Sequence, residues 1–303
     1  MTSETLKSAW DLGRRVLEKA CYSPTPALDA RVLLCHCAGV SREYYYAHRE
    51  DHHLTSRQYD DYLDSLRFRL ARKPVAYITG CREFMGLNFY VNPSVLIPRP
   101  ATETLVEAAI DYFSREKTAN PVALEIGTGS GCVAVSLAYY VPGLTVYGVD
   151  ISPGAIATAG ENIHRLNKEN PQKEMSRRIH LLEGNLYGPV MKEYPGRFDL
   201  VISNPPYVTG DEWQCLAEGV RNFEPREALV PQSGAGEIYY SIISGSLDYL
   251  SPGGALMLEI GADMASMVTC LFSGAGFSGI QVFRDLEGHD RVVTGRVAHG
   301  TLT

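Results

Sequence analysis

The chain has 303 residues, of which 45% are hydrophobic and 21% charged, and its formal net charge is −7. This is the profile of a globular protein with room for one large domain and a small one, and it excludes a disordered or fibrous chain. The acidic balance also argues against a broad nucleic-acid-binding face, which would be basic.

The local run Arg67, Arg69, Arg72 and Lys73 reads as a solvated helix end. The seven cysteines include no Cys-x-x-Cys pair; Cys35 and Cys37 flank His36. A disulfide framework and a metal site are therefore not expected, and the thiols read as small buried hydrophobes. Met1-Thr2-Ser3-Glu4 is polar, with no apolar signal core behind it, and no apolar run is long enough to span a bilayer. A reducing cytoplasm is the expected setting.

Residues 1–75 read as helical. Leu6, Trp10, Gly13 and Leu17 recur at helical spacing. Pro26 opens a second helix, which carries Leu28, Val32 and Cys35 and stops at Gly39. A third begins at Thr55, whose hydroxyl and Gln58 make a capping box, with Leu54 and Tyr59 placed as a hydrophobic staple. Tyr62, Leu63, Leu66 and Leu70 continue its apolar stripe until Pro74.

Residues 76–101 read as a hairpin and a connector. Tyr77-Ile78-Thr79-Gly80 and Phe89-Tyr90-Val91 suggest short strands around Gly86-Leu87-Asn88, and prolines 93, 98 and 100 make the connector rigid. A helix starts near Thr102. From about residue 120 strands and helices alternate. Strands are expected at 122–126, 144–150, 179–182, 198–203 and 255–260, with short ones at 279–284 and 291–296. Helices are expected at 131–140, after Ser152-Pro153, and at 236–250. This alternation predicts an α/β fold: a doubly wound, seven-stranded, mainly parallel sheet over 102–303, beside a small helical N-terminal domain.

Two loops carry the chemistry. Glu125-Ile126-Gly127-Thr128-Gly129-Ser130-Gly131 follows a strand and opens a helix. A dinucleotide fingerprint needs Gly-x-Gly-x-x-Gly, but here the residue at the third fingerprint position is Cys132. The spacing suits a nucleoside with an amino-acid tail rather than a pyrophosphate. Asp150 ends the next strand, where its carboxylate can accept both ribose hydroxyls. A turn or helix-cap role for Asp150 stands as the alternative.

Asn204-Pro205-Pro206-Tyr207 follows the fourth strand, which in such a sheet lies about 5 Å from the first. Asn204 and Pro205 each precede a proline and are pushed into extended geometry. The prolines lack N–H groups, so the loop offers acceptors and few donors. The Asn204 side-chain oxygen and the Pro205 carbonyl can each take one hydrogen of an NH2 group, aiming its lone pair at a sulfonium methyl. Tyr207 can stack on a flat amide or base. A structural proline turn is the bland alternative.

At these residues the chain resembles class I methyltransferases, and more narrowly the release factor glutamine methyltransferase family (PrmC/HemK). The likeness also runs through Arg82-Glu83-Phe84, Leu96-Ile97-Pro98-Arg99-Pro100, Phe223-Glu224-Pro225-Arg226 and Asp290-Arg291-Val292-Val293-Thr294-Gly295-Arg296. It implies that S-adenosylmethionine contacts Gly127, Thr128, Gly129, Ser130, Gly131, Asp150 and Asn204, with Asn185 and Leu186 flanking the adenine. It implies a substrate as well, the glutamine of the Gly-Gly-Gln motif of class I peptide chain release factors. That glutamine would be held by Asn204, Pro205, Pro206 and Tyr207, and the helices of 1–75 would help dock the release factor. Ala101, Asn185 and Leu186 depart from the family's usual residues. Arg99, Thr102, Glu103 and Glu224 read as architectural. The same Asn loop fits an adenine-N6 methyltransferase acting on DNA or RNA, and a binding module that has kept the fold is the third reading. No stable nucleic-acid or membrane partner is expected.

Overall fold

The structure, a computed structural model, describes residues 4–116, 118–190 and 197–298. Met1–Ser3, part of the polar N-terminus, lie outside the described residues. The chain divides into two compact units, Met1–Cys81 with Ala217–Phe223, and Arg82–Leu216 with Glu224–Thr303. Among the described residues no helix is long and apolar enough to cross a membrane.

The first unit is helical. Helix α1 (Leu6–Ala20) starts on a Thr5–Ser8 capping box and buries Leu6, Ala9, Gly13 and Leu17. Gly13 is required there, because a Cβ would fall 1.9 Å from the Tyr62 hydroxyl. Helix α2 (Pro26–Ala38) has Pro26 at its start and a left-handed Gly39 at its end, as its sequence implies. Its buried face differs from the expected one. Ala30, Leu33 and Leu34 face the core, while Leu28 and Val32 are exposed. Apolar residues lie all around this helix, so spacing alone cannot choose the face.

A short helix α3 (Arg42–His48), capped by Ser41, was not foreseen. Helix α4 (Ser56–Leu70) carries the Thr55–Gln58 capping box in both directions. It ends at Leu70, before Pro74 is reached, and Arg72 then turns left-handed (φ +68°). The basic run is mostly paired: Arg67 with Asp64, Arg69 with Asp29, and Arg72 with Glu218.

The strand expected at Tyr77–Gly80 is instead a helical turn, α5 (Val75–Thr79), closed by left-handed Gly80. Pro74 fixes the entry, and its carbonyl accepts the Tyr77 and Ile78 N–H groups. The hairpin lies just beyond it, β1 (Cys81–Phe84) and β2 (Leu87–Tyr90), turning on Met85 and Gly86. Both have positive φ (50° and 71°), the demand of a tight two-residue turn. Glu103, in helix α6 (Pro100–Glu116), accepts the Met85 N–H at 2.8 Å and pins that turn.

The second unit holds a seven-stranded sheet. Its strands alternate with helices as β3 (Val122–Ile126), α7 (Cys132–Tyr140), β4 (Thr145–Asp150), α8 (Pro153–Glu169), α9 (Met175–Arg178), β5 (Ile179–Glu183) and β6 (Phe198–Ser203). After them come α10 (Gly210–Cys215), α11 (Glu218–Phe223), α12 (Ala235–Ser246), β7 (Leu250–Glu259), α13 (Ala265–Gly274), β8 (Ser278–Arg284) and β9 (Asp290–Arg296). Of these, α11 belongs to the helical unit.

The sheet order is β5-β4-β3-β6-β7-β9-β8. The first five strands are parallel; β9 runs antiparallel to both β7 and β8. Ala123 belongs to the core that includes α6 and α7, and its neighbour Leu124 to the core under α12 and α13. The alternation along one strand therefore feeds both faces. Strand order reverses between β3 and β6, which is where an open α/β sheet leaves a crevice at the carboxyl ends of its strands.

Candidate active site

Both sequence-identified loops leave the sheet at that crevice. Ile126 and Ser203 are register partners, and the Ser203 hydroxyl donates to the Ile126 carbonyl at 2.7 Å. Gly127 and Asn204 follow directly, one on each strand. A Cβ on Gly127 would come 3.9 Å from the Asn204 carbonyl oxygen.

The glycine loop is held open from beneath. Gly127, Gly129 and Gly131 all have positive φ (77°, 54° and 78°), which side chains resist. The Gly127 and Thr128 N–H groups both reach the Val149 carbonyl. The Thr128 hydroxyl donates to Glu125. Glu125 is buried, and burial pushes its carboxyl up to about 8 despite the Thr128 hydrogen bond. Burial thus favours its neutral form, and it serves as an internal strut of the loop.

Asp150 shares its carboxylate with the backbone. Oδ2 accepts the Gly129 N–H at 2.8 Å and Oδ1 the Ser152 N–H at 2.9 Å. Burial raises its pKa, opposed by the backbone N–H groups of Ser152, Gly129 and Ile151. The turn role weighed for it is therefore present. Each oxygen still has capacity for a second donor, and Asp150 lines the cavity. The cap of α8 is Ser152, which accepts the Ala155 N–H.

A cavity of about 470 Å3 joins the loops, within the range of roughly 300–1,000 Å3 typical of small-molecule sites. Gly127, Thr128, Gly129, Ser130 and Asp150 line it, with Asn185 and Leu186 after β5 and Asn204, Pro205 and Pro206 after β6. Two expected residues lie outside the lining. Gly131 faces α8, where a Cβ would sit 3.1 Å from that of Ala159. Tyr207 is half-buried, its hydroxyl 3.3 Å from Glu259 Oε1.

Three observations fit a nucleoside with a polar tail. Space over Gly129 is open, so bare backbone can be approached closely. The Ser130 hydroxyl is buried in the cavity lining with no hydrogen-bond partner among the described residues. Leu186 is held left-handed (φ +48°), a strained backbone of the kind that collects at ligand sites.

The Asn204 side chain is oriented. Its Nδ2 donates to the Thr102 hydroxyl at 3.1 Å, which leaves Oδ1 for an incoming donor. The connector forms another wall, through Leu96, Pro98 and Arg99. It is tied down by buried Glu224, which accepts the Ile97 N–H at 3.1 Å and pairs with Arg99 at 2.7 Å. Of the residues read as architectural, Glu103 and Glu224 lie outside the cavity lining, whereas Arg99 and Thr102 belong to it. The wall formed by Pro225, Val230, Pro231 and Gln232 was not foreseen, since most of that stretch has no periodic pattern. Nor was buried Glu259, which reads in sequence as the polar end of an apolar strand.

Residues 8–80 match the PrmC N-terminal domain, and residues 101–222 match the methyltransferase small domain. A release factor glutamine methyltransferase of Geobacter sulfurreducens is 43% identical over 229 residues, 76% of this chain and 75% of the relative. Another, of Burkholderia pseudomallei, is 40% identical over 276 residues, 91% of this chain and 93% of the relative. Among solved structures, the hMettl16 catalytic domain in complex with MAT2A 3'UTR hairpin 6 superposes with a TM-score of 0.55 at 15% identity, covering 79% of this chain and 84% of that one. At that identity the likeness extends to the fold alone. With two loops meeting at one crevice and relatives matched along most of their length, the chain belongs to the release factor glutamine methyltransferase family.

Proposed function

We propose that this protein methylates the side-chain amide nitrogen, N5, of the glutamine in the Gly-Gly-Gln motif of class I peptide chain release factors, with S-adenosylmethionine as donor. The observation that carries the reading is the Asn204 amide. It stands across the strand crevice from the glycine loop, with its NH2 end tied to Thr102 and no hydrogen bond to its side-chain oxygen among the described residues. Bound there, S-adenosylmethionine supplies an electrophilic methyl on sulfur. Gly127, Thr128, Gly129 and Ser130 would cradle its amino-acid tail, Asp150 would accept from the ribose, and Asn185 and Leu186 would flank the adenine. Gly131 would act from behind, by letting α7 approach α8.

The chain's own task is to place and polarise a poor nucleophile. An amide nitrogen has a delocalised lone pair. Acceptors on both of its hydrogens, Asn204 Oδ1 and the Pro205 carbonyl, return density to nitrogen and fix its direction. Pro206 keeps the loop extended and Tyr207 would cover the amide plane. The gain comes from alignment and preorganised dipoles, so no titrating base is needed in the loop. An adenine amine could meet the same acceptors, but family membership along both units favours glutamine.

The helices of 1–75 would help dock the release factor, and translation places the partners in the cytoplasm. Mass spectrometry of purified release factor after incubation with enzyme and cofactor tests the reading. A gain of one methyl on the tripeptide glutamine is expected, and none when that glutamine is replaced. Equal labelling of both proteins would refute it.

A further inference from the structure

Asn162 of α8 is 0% exposed. A buried amide must spend its hydrogens and its oxygen on protein groups. Its Oδ1 accepts the Tyr90 N–H at 2.6 Å, and its Nδ2 donates to the Tyr90 carbonyl at 2.9 Å. Nδ2 also donates to the Ser130 carbonyl, again at 2.9 Å. This pattern admits one orientation. Reversed, the amide would set its NH2 against the Tyr90 N–H and its oxygen against two carbonyls. The last residue of β2 therefore fixes the amide, and the amide fixes the glycine loop.

The loop needs such a restraint, because Gly129 and Gly131 free the backbone on both sides of Ser130. Helix α8 meets it at two points on one face. Ala159 receives Gly131, where a Cβ would sit 3.1 Å away, and Asn162, three residues on, takes the Ser130 carbonyl. Ser130 is thus held by its carbonyl. Its hydroxyl is buried in the cavity lining with no hydrogen-bond partner among the described residues. The Cys132 thiol, a weak hydrogen-bonding group, is close by. A buried polar atom left in this way in a cavity wall is set for a ligand.

We propose that Asn162 is a positioning residue of the cofactor seat, which relays the place of β2 to Ser130 and so aims the Ser130 hydroxyl at the amino-acid tail of S-adenosylmethionine. The inference rests on the cofactor reading of the glycine loop. That tail carries an ammonium and a carboxylate, and a hydroxyl can accept from the one or donate to the other. Asn162 itself does not line the cavity. Its effect falls on cofactor binding rather than on methyl transfer, because the acceptor loop leaves a different strand, β6. Thr158, one turn earlier in α8, supplies a control. Its hydroxyl accepts from Asn92 Nδ2 at 2.9 Å and donates to the Gly154 carbonyl at 2.8 Å. It holds the chain just beyond β2, without a hydrogen bond to the glycine loop among the described residues.

The test uses the full chain. It reads the Kd for S-adenosylmethionine by calorimetry, kcat on full-length release factor at saturating cofactor, and the denaturant midpoint. Asn162→Leu and Asn162→Asp should each weaken cofactor binding on the order of 10-fold, while kcat at saturation stays within about threefold. Asn162→Asp keeps the shape and the acceptor for the Tyr90 N–H, but has at most one hydrogen for two carbonyls. Ser130→Ala should weaken binding by a similar factor. The double variant Asn162→Asp, Ser130→Ala should be no more than about twofold weaker than the weaker single one, since both changes act through one hydroxyl. Thr158→Val should lower the midpoint and leave Kd within about twofold. A purely structural Asn162 would lower the midpoint in the same way with a wild-type Kd. That result, losses that multiply in the double variant, or an equal loss of affinity in Thr158→Val overturns the inference alone. Ser130→Ala keeps the proposal falsifiable if neither Asn162 variant folds, because wild-type affinity in it also overturns the inference. Wild-type enzyme that binds no S-adenosylmethionine overturns the cofactor reading, and this inference with it.

Discussion

The roles proposed for Asn204 and Asp150 differ, and kinetics can separate them. As proposed, the Asn204 oxygen would be used most when charge shifts at nitrogen, so its loss should fall on the transition state. Asn204→Ala is expected to lower kcat by ~10²–10³-fold while cofactor affinity stays near normal; single-turnover rates and calorimetry measure the two. Asp150→Ala should show the reverse pattern. It removes the proposed acceptor for two ribose hydroxyls, worth about 1.5–3 kcal/mol for charged hydrogen bonds, and it releases the Gly129 and Ser152 N–H groups. The expected result is a Kd for cofactor weakened on the order of 10- to 100-fold. At this scale the sequence is informative wherever a residue's chemistry is tied to its neighbours. Asn before Pro-Pro and Asp at a strand end announce themselves. Glu259 does not, because its burial and its contact with Tyr207 come from residues far from it in the chain.

Elements are legible where local chemistry decides them. The Thr55–Gln58 box, Pro26 and Gly39 around α2, and Ser152-Pro153 before α8 all act within a few residues, and each appears where its sequence places it. The departures have tertiary causes. Val75–Thr79 is β-branched and aromatic enough to pass for a strand, yet Pro74 and left-handed Gly80 close it as a single helical turn. The exposed face of α2 passes for its core face because only the packing partner distinguishes them. Gly219 shows such packing against backbone. A Cβ there would lie 2.8 Å from the carbonyl oxygen of Arg72, itself left-handed. Backbone cannot yield as a side-chain tip can. Gly219→Ala should therefore destabilise the helical unit by about 1–3 kcal/mol, read as a lower denaturant midpoint for its helical signal.

Across the whole molecule, the sheet order turns two distant loops into one site, and the βαβ alternation makes that order legible. The same burial that supports the glycine loop makes stability depend on pH. The Glu125 carboxyl sits near pKa 8 in the folded protein, against about 4.3 in an unfolded chain. Its contribution is fullest below the unfolded value, declines as pH rises, and levels off past the folded value. Glu125→Gln should match wild type in thermal midpoint near pH 4 and exceed it near pH 9. An upper bound on that gain is on the order of a few kcal/mol. Equal midpoints at both pH values would mean that the buried carboxyl is not the source.

The helical unit is not one continuous stretch of chain. It takes Ala217–Phe223 from far downstream, with Glu218 pairing to Arg72. During synthesis the first 81 residues therefore emerge well before their last partner segment. The residues proposed to bind cofactor lie between its two pieces, so this unit is completed only after they have left the ribosome.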